Sequence, residues 1–217
     1  MTQTEFSTAA AKLGNATLLN ANMRLLAPKL VNYECELASL IECIEADRDC
    51  ADALIKYANK RNPDPDTNID SVNHATVFLG LIDSKQFLFS YLLLDINQQN
   101  HGQLVKLLVR AKLCSDLFKT NGPVNKDLAF VATLTTHPRF LKIQKTETIC
   151  MLFKLPSEKK DAVKNLDYGL RNTIKQAMLV DAKCNPKSAK REAMPEEFET
   201  LFREAVYWAN AILYALS

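Results

Sequence analysis

Three histidines and six cysteines are the side chains in this sequence best suited to hold a metal or attack a substrate, and their spacing supports neither. A di-metal hydrolytic centre needs several imidazole and carboxylate donors converging on one point. The histidines occur as His74-Ala75, His101-Gly102 and His137-Pro138, so the chain has no His-Asp dipeptide. His74 falls inside an expected helix beside apolar residues and reads as a structural histidine. His101 and His137 fall in expected loops. Cys35, Cys43, Cys50, Cys114, Cys150 and Cys184 are scattered, with no C-x-x-C pair and no histidine at zinc-finger spacing. They read as free thiols in a reducing compartment.

The remaining chemical motifs are absent as well. Five isolated glycines cannot form G-x-G-x-x-G or a P-loop, and no G-x-S-x-G elbow occurs. The carboxylate pairs Asp47/Asp49, Asp64/Asp66 and Glu196/Glu197 stand at expected helix starts and turns, where they serve as caps, turn formers and dipole partners. The sequence therefore predicts no catalytic residue, no metal ligand and no cofactor site.

Two basic spots and two tyrosines are the residues left for recognition. Lys60-Arg61 precedes a Pro/Asp-rich stretch, and Lys183, Lys187, Lys190 and Arg191 mark a later loop. Either could dock an anion or simply be solvated. A net charge of +2 is too small for a general nucleic-acid footprint. Tyr207 and Tyr214, seven apart, fall opposite the apolar stripe of the last expected helix. They read as a partner surface or as two solvated amphipathic side chains.

The elements that must position these residues read as helices. Glycine supplies 5 of 217 residues, about 2% against an average near 7%, which disfavours hairpins and favours helices joined by short loops. The N-terminus carries Glu5, no basic leader and no long apolar run, so no secretory signal is expected. The longest apolar tract, 75–94, is interrupted by Asp83, Ser84, Lys85 and Gln86, and does not supply the ~20 apolar residues of a membrane span. A cytoplasmic protein of about ten helices is expected, all-α in class.

Residues 1–33 predict leading helices broken at Gly14 and Pro28. Leu37, Leu40, Ile41 and Ile44 recur on one helical face, and Asp47 is placed to cap a second helix with Ala51, Leu54, Ile55 and Ala58 inward. The segment 62–70, NPDPDTNID, is a surface loop. Asp70 or Ser71 caps the next helix, which is expected to stop at Gly80, with Asp83 and Gln86 as a capping box for a buried helix to Leu94. A helix over 103–119 closes a first lobe, 34–120.

The second lobe, 121–217, predicts helices near 125–135, 146–155, 158–166 and 170–182, then a last helix from Pro195 at its first position to Leu216. Its core stripe is Phe198, Leu201, Phe202, Ala205, Ala209, Ile212, Leu213 and Leu216, with Trp208 at the edge.

The order of features in 37–94 resembles the HDOD domain, an HD-related output domain of bacterial signalling proteins. The residues that carry the resemblance are Asp47, Leu54-Ile55, Asn59, the run Ile69-Asp70-Ser71-Val72-Asn73-His74-Ala75, and Leu79-Gly80. The later residues Arg110-Ala111, Ala129-Phe130, the run 151–156 and Ala205-Val206-Tyr207-Trp208-Ala209-Asn210 are similar to the branch in which HDOD follows an EAL domain. The resemblance implies an all-helical, compact HD-like domain that has lost its metal ligands and acts in protein–protein regulation, often in cyclic di-GMP pathways.

Two departures stand out. The 217 residues leave no room for an EAL domain, so a separate EAL, GGDEF or kinase protein is the expected partner. Small residues usual after the family's Asn are replaced by Lys60-Arg61-Asn62-Pro63. The expected contacts are therefore Asn59, Lys60, Arg61, Ser71, Tyr207 and Tyr214, with no nucleic acid and no membrane. A metal-dependent HD-type phosphohydrolase, or a small-ligand sensor with a pocket between lobes, are the alternatives.

Overall fold

The computed structural model describes residues 36–64, 66–96, 101–118, 126–136, 168–184 and 195–217, with Ser157 and Asp161 besides. Among them all regular structure is helical, in seven helices: α1 (Leu37–Glu45), α2 (Arg48–Arg61), α3 (Val72–Ile96), α4 (His101–Leu117), α5 (Lys126–Thr136), α6 (Tyr168–Cys184) and α7 (Glu196–Leu216). The leading helices expected over 1–33, those expected near 146–155 and 158–166, and the cations Lys187, Lys190 and Arg191 lie outside the described residues.

The start of the fold follows local chemistry. Leu40 and Ile44 of α1 are buried. The Asp47 carboxylate accepts the Cys50 N–H at 3.2 Å and caps α2, a contact worth about 1 kcal/mol. Burial and the Asp47 charge push the Cys50 thiol far above the usual range. Cys43, Cys50 and Cys114 are free thiols.

Beyond α2 the 62–70 loop is built from its own side chains. Asn62 Oδ1 accepts the Asp64 N–H at 3.1 Å, Asp64 Oδ1 accepts the Asp66 N–H at 3.0 Å, and the Thr67 hydroxyl donates to Asp64 Oδ2 at 2.6 Å. These bonds to the charged form, the Thr67 hydroxyl foremost, hold the Asp64 carboxyl below its ordinary value. Ser71 then caps α3, its Oγ accepting the His74 N–H at 3.2 Å. His74 itself is exposed, contrary to the structural role expected for it.

Helix α3 departs from expectation at its middle. Gly80 has φ 74° and ψ 170°, a region essentially confined to glycine. It redirects the chain within one residue, and helix resumes at once. Asp83 and Gln86 consequently lie within helical turns instead of opening a helix, which frees their side chains to reach other elements. The same kink accounts for Ser84 Oγ, which is buried without a hydrogen-bond partner among the described residues. Thr76, Ser90, Thr133 and Thr173 donate to the carbonyl four residues back. For Ser84 that carbonyl belongs to the non-helical Gly80.

Every residue from Ser84 to Ser90 is buried, making this half of α3 the central element, as its apolar content predicts. Tyr57 stacks on Phe87 with centroids 5.0 Å apart, Phe89 lies 6.0 Å from Phe130, and Phe130 meets Trp208 edge-on at 5.7 Å. These rings tie α2, α3, α5 and α7 into one core. On the other side Arg110 of α4 holds Asp181 of α6 at 2.6 Å. Helix α4 begins at His101, earlier than the loop expected there.

Helix α7 packs against both α2 and α4, so residues drawn from the two expected lobes share one apolar cluster. Its buried side is Ala205, Trp208, Ala209, Ala211, Ile212 and Ala215. Trp208, expected at the edge, is fully buried. The small alanines flanking it leave room for the indole. Pro195 caps the helix one position before its first residue. None of the described helices is long and apolar enough to cross a membrane.

Candidate interaction face

The C-terminal turn of α2 and the outer side of α7 meet above a partly buried carboxylate. Asp83 Oδ1 accepts hydrogen bonds from the Tyr57 hydroxyl at 3.0 Å and from Trp208 Nε1 at 2.7 Å. Its second oxygen lies 3.7 Å from the Arg61 guanidinium. One carboxylate therefore satisfies two otherwise buried donors, and a hydrogen bond to a charged group contributes about 1.5–3 kcal/mol. Burial and then the Asp83 charge push the Tyr57 hydroxyl well above its ordinary pKa. It stays protonated and keeps donating.

Arg61 connects this hub to the surface. Its guanidinium sits 5.8 Å from the centroid of Tyr207, and the Tyr207 hydroxyl donates to the Lys60 carbonyl at 2.9 Å. That bond occupies a carbonyl at the end of α2, where helices leave acceptors unsatisfied. Two helical turns along α7, Tyr214 lies beneath two ammonium groups, Lys56 Nζ and Lys60 Nζ, each 5.1 Å from its centroid. Both tyrosines remain about half exposed, at 51% and 52%. Exposed cation–aromatic contacts contribute about 0.5–1 kcal/mol each.

Of the six expected contact residues, four converge here: Lys60, Arg61, Tyr207 and Tyr214. The other two lie apart from this face and shape the loop. Asn59 Nδ2 donates to the Ile69 carbonyl at 2.6 Å and to the Ile55 carbonyl at 3.1 Å, while its Oδ1 accepts the Ile69 N–H at 2.9 Å. These bonds close the loop and drive Ile69 into the core. Ser71 is the cap of α3.

Three residues of the face escaped sequence reasoning. Lys56 was signalled only by its position one turn before Lys60. Tyr57 stands between two apolar positions of α2 and gave no cue of its own. Asp83 carried the pattern of a cap, and its partners lie 26 and 125 residues away.

A second polar group lies on the α4 side of Trp208. Lys112 Nζ donates to Gln86 Oε1 at 3.0 Å, pairs with Asp116 Oδ1 at 3.3 Å and sits 5.6 Å from the indole. Gln86 Nε2 donates to Ser115 Oγ at 2.8 Å. Burial raises the Asp116 carboxyl above its ordinary value, against the pull of Lys112. Among the described residues no three His, Cys, Asp or Glu side chains gather as a metal site.

No family model, no curated protein and no solved structure matches this chain. These comparisons identify no HDOD family, and the described residues define an all-helical protein with a cationic, tyrosine-bearing face.

Proposed function

We propose that this chain is a non-catalytic, HDOD-like signalling module of the cytoplasm, compact and HD-like with about ten helices over its full length, that acts by binding another protein. A separate EAL, GGDEF or kinase protein is the partner this reading favours. The observation that carries it is the meeting of Lys60 and Arg61 with Tyr207 and Tyr214 on one exposed face. Two sequence segments singled out independently for recognition turn out to be neighbours. Arginine and tyrosine are enriched where proteins bind one another.

The test is affinity capture from source cells using the wild-type chain and Arg61→Glu. Recovery of one signalling partner that falls about tenfold or more in the variant, whose charge now opposes the face, supports the reading. Equal recovery by both chains removes the face from the function. A phosphodiesterase assay on metal-loaded protein is the complementary measurement, and turnover there overturns the non-catalytic assignment.

A further inference from the structure

We infer that the α2/α7 face receives a carboxylate-rich segment of a protein partner, an inference that rests on the binding function just proposed and gives its partner a chemistry. Lys56 and Lys60 converge on one ring, each 5.1 Å from the Tyr214 centroid. Neither makes an ion pair with any described residue. Like charges one helical turn apart repel, and a carboxylate seated between them relieves that repulsion.

Three acids of α2, the following loop and α3 are already engaged. Asp52, a turn before Lys56, faces Arg48 at 3.8 Å. Asp64 is turned onto its own loop, on Asp66 N–H and Thr67. Asp83 is bound by Tyr57, Trp208 and Arg61. What faces solvent without a compensating carboxylate among the described residues is therefore the pair Lys56 and Lys60, with Arg61, half-buried and shared with Asp83, at its edge.

The spacing suits a peptide. Cβ atoms of Lys56 and Lys60 are about 5–6 Å apart by helix geometry, near the roughly 6.5–7 Å between alternate residues of an extended chain. A Glu-x-Glu segment thus presents its carboxylates in step with the lysines. Single-stranded nucleic acid fits less well, because its binders stack bases on open aromatic faces. Here a cation already lies over each ring.

Arg61 gives the site a reporter. Its guanidinium sits 5.8 Å from the Tyr207 centroid and 3.7 Å from Asp83 Oδ2, and Asp83 Oδ1 holds the indole N–H of Trp208. A ligand carboxylate that draws on Arg61 alters the field at Trp208, the single tryptophan of the chain.

The experiment titrates the full chain with an end-blocked oligoglutamate of about ten residues, following Trp208 emission, with an oligothymidylate of similar charge in parallel. Saturable binding with an emission shift is expected, weakening with salt. It should weaken about tenfold or more in Lys56→Gln/Lys60→Gln and remain unchanged in Lys175→Gln, an exposed lysine of α6. Absence of oligoglutamate binding, equal affinity in the double variant, or tighter binding of the oligothymidylate each overturns the inference. Failure here leaves the capture result with Arg61→Glu to stand or fall separately, so the two readings are distinguishable.

Discussion

Helix α7 meets cations on both of its sides, and the two encounters differ in what surrounds the charge. On the α4 side Lys112 lies over Trp208, but its ammonium is also held by Gln86 and paired with Asp116. On the α2 side Lys56 and Lys60 lie over Tyr214 with no carboxylate among the described residues to meet them. The ring contact is alike in kind. The inner lysine has its charge compensated within the fold and works as a structural tie, whereas the outer pair keeps its charge for something outside. Asp83 belongs with the inner set in its bonding, yet touches the outer set through Arg61.

Substitutions on the inner side should therefore cost stability and those on the outer side should not. Asp83→Ala has the largest expected effect, because it leaves Tyr57, Trp208 and Arg61 together without their acceptor. A loss of about 3 kcal/mol is expected in urea denaturation followed by circular dichroism. A loss under about 1 kcal/mol would mean that water replaces the carboxylate and the hub is not structural.

Lys112→Met comes next, since it preserves the stem over the indole but deprives Gln86 and Asp116 of a donor. About 2 kcal/mol is expected by the same measurement. No change would erase the distinction between inner and outer lysines.

A smaller effect concerns acidity. Burial raises the folded-state pKa of Asp116, so its favourable contribution is complete below the unfolded value and is lost as pH rises through the folded one. The stability of the wild type relative to Asp116→Asn should accordingly increase as pH falls from neutrality toward the ordinary aspartate range. A flat difference across that span would show that Lys112 fully compensates the burial.

What the sequence disclosed, and what it hid, divides along the same line. The Asp47 cap, the 62–70 loop and the buried half of α3 were legible because each depends on residues within a turn or two. Lys60-Arg61 and the tyrosine pair were legible as separate exposed features. Their contact was not, since the Tyr207 hydroxyl reaches a carbonyl 147 residues away. Asp83 and Trp208 were misplaced for a related reason. A capping pattern and an edge position are local readings, and the bond between these two residues exists only after α3 and α7 pack together. Gly80 added to the error, because its backbone joins two helices without the loop that an Asp83 cap would have required.

If the outer lysines keep their charge for a partner, they are dispensable to the fold and necessary for binding. The decisive measurement is a paired one on Lys56→Gln/Lys60→Gln: unfolding free energy together with recovery of the captured partner. Stability within about 0.5 kcal/mol of wild type and partner recovery reduced about tenfold or more is the predicted result. Full recovery with unchanged stability, or a loss of stability near that of Lys112→Met, would contradict it.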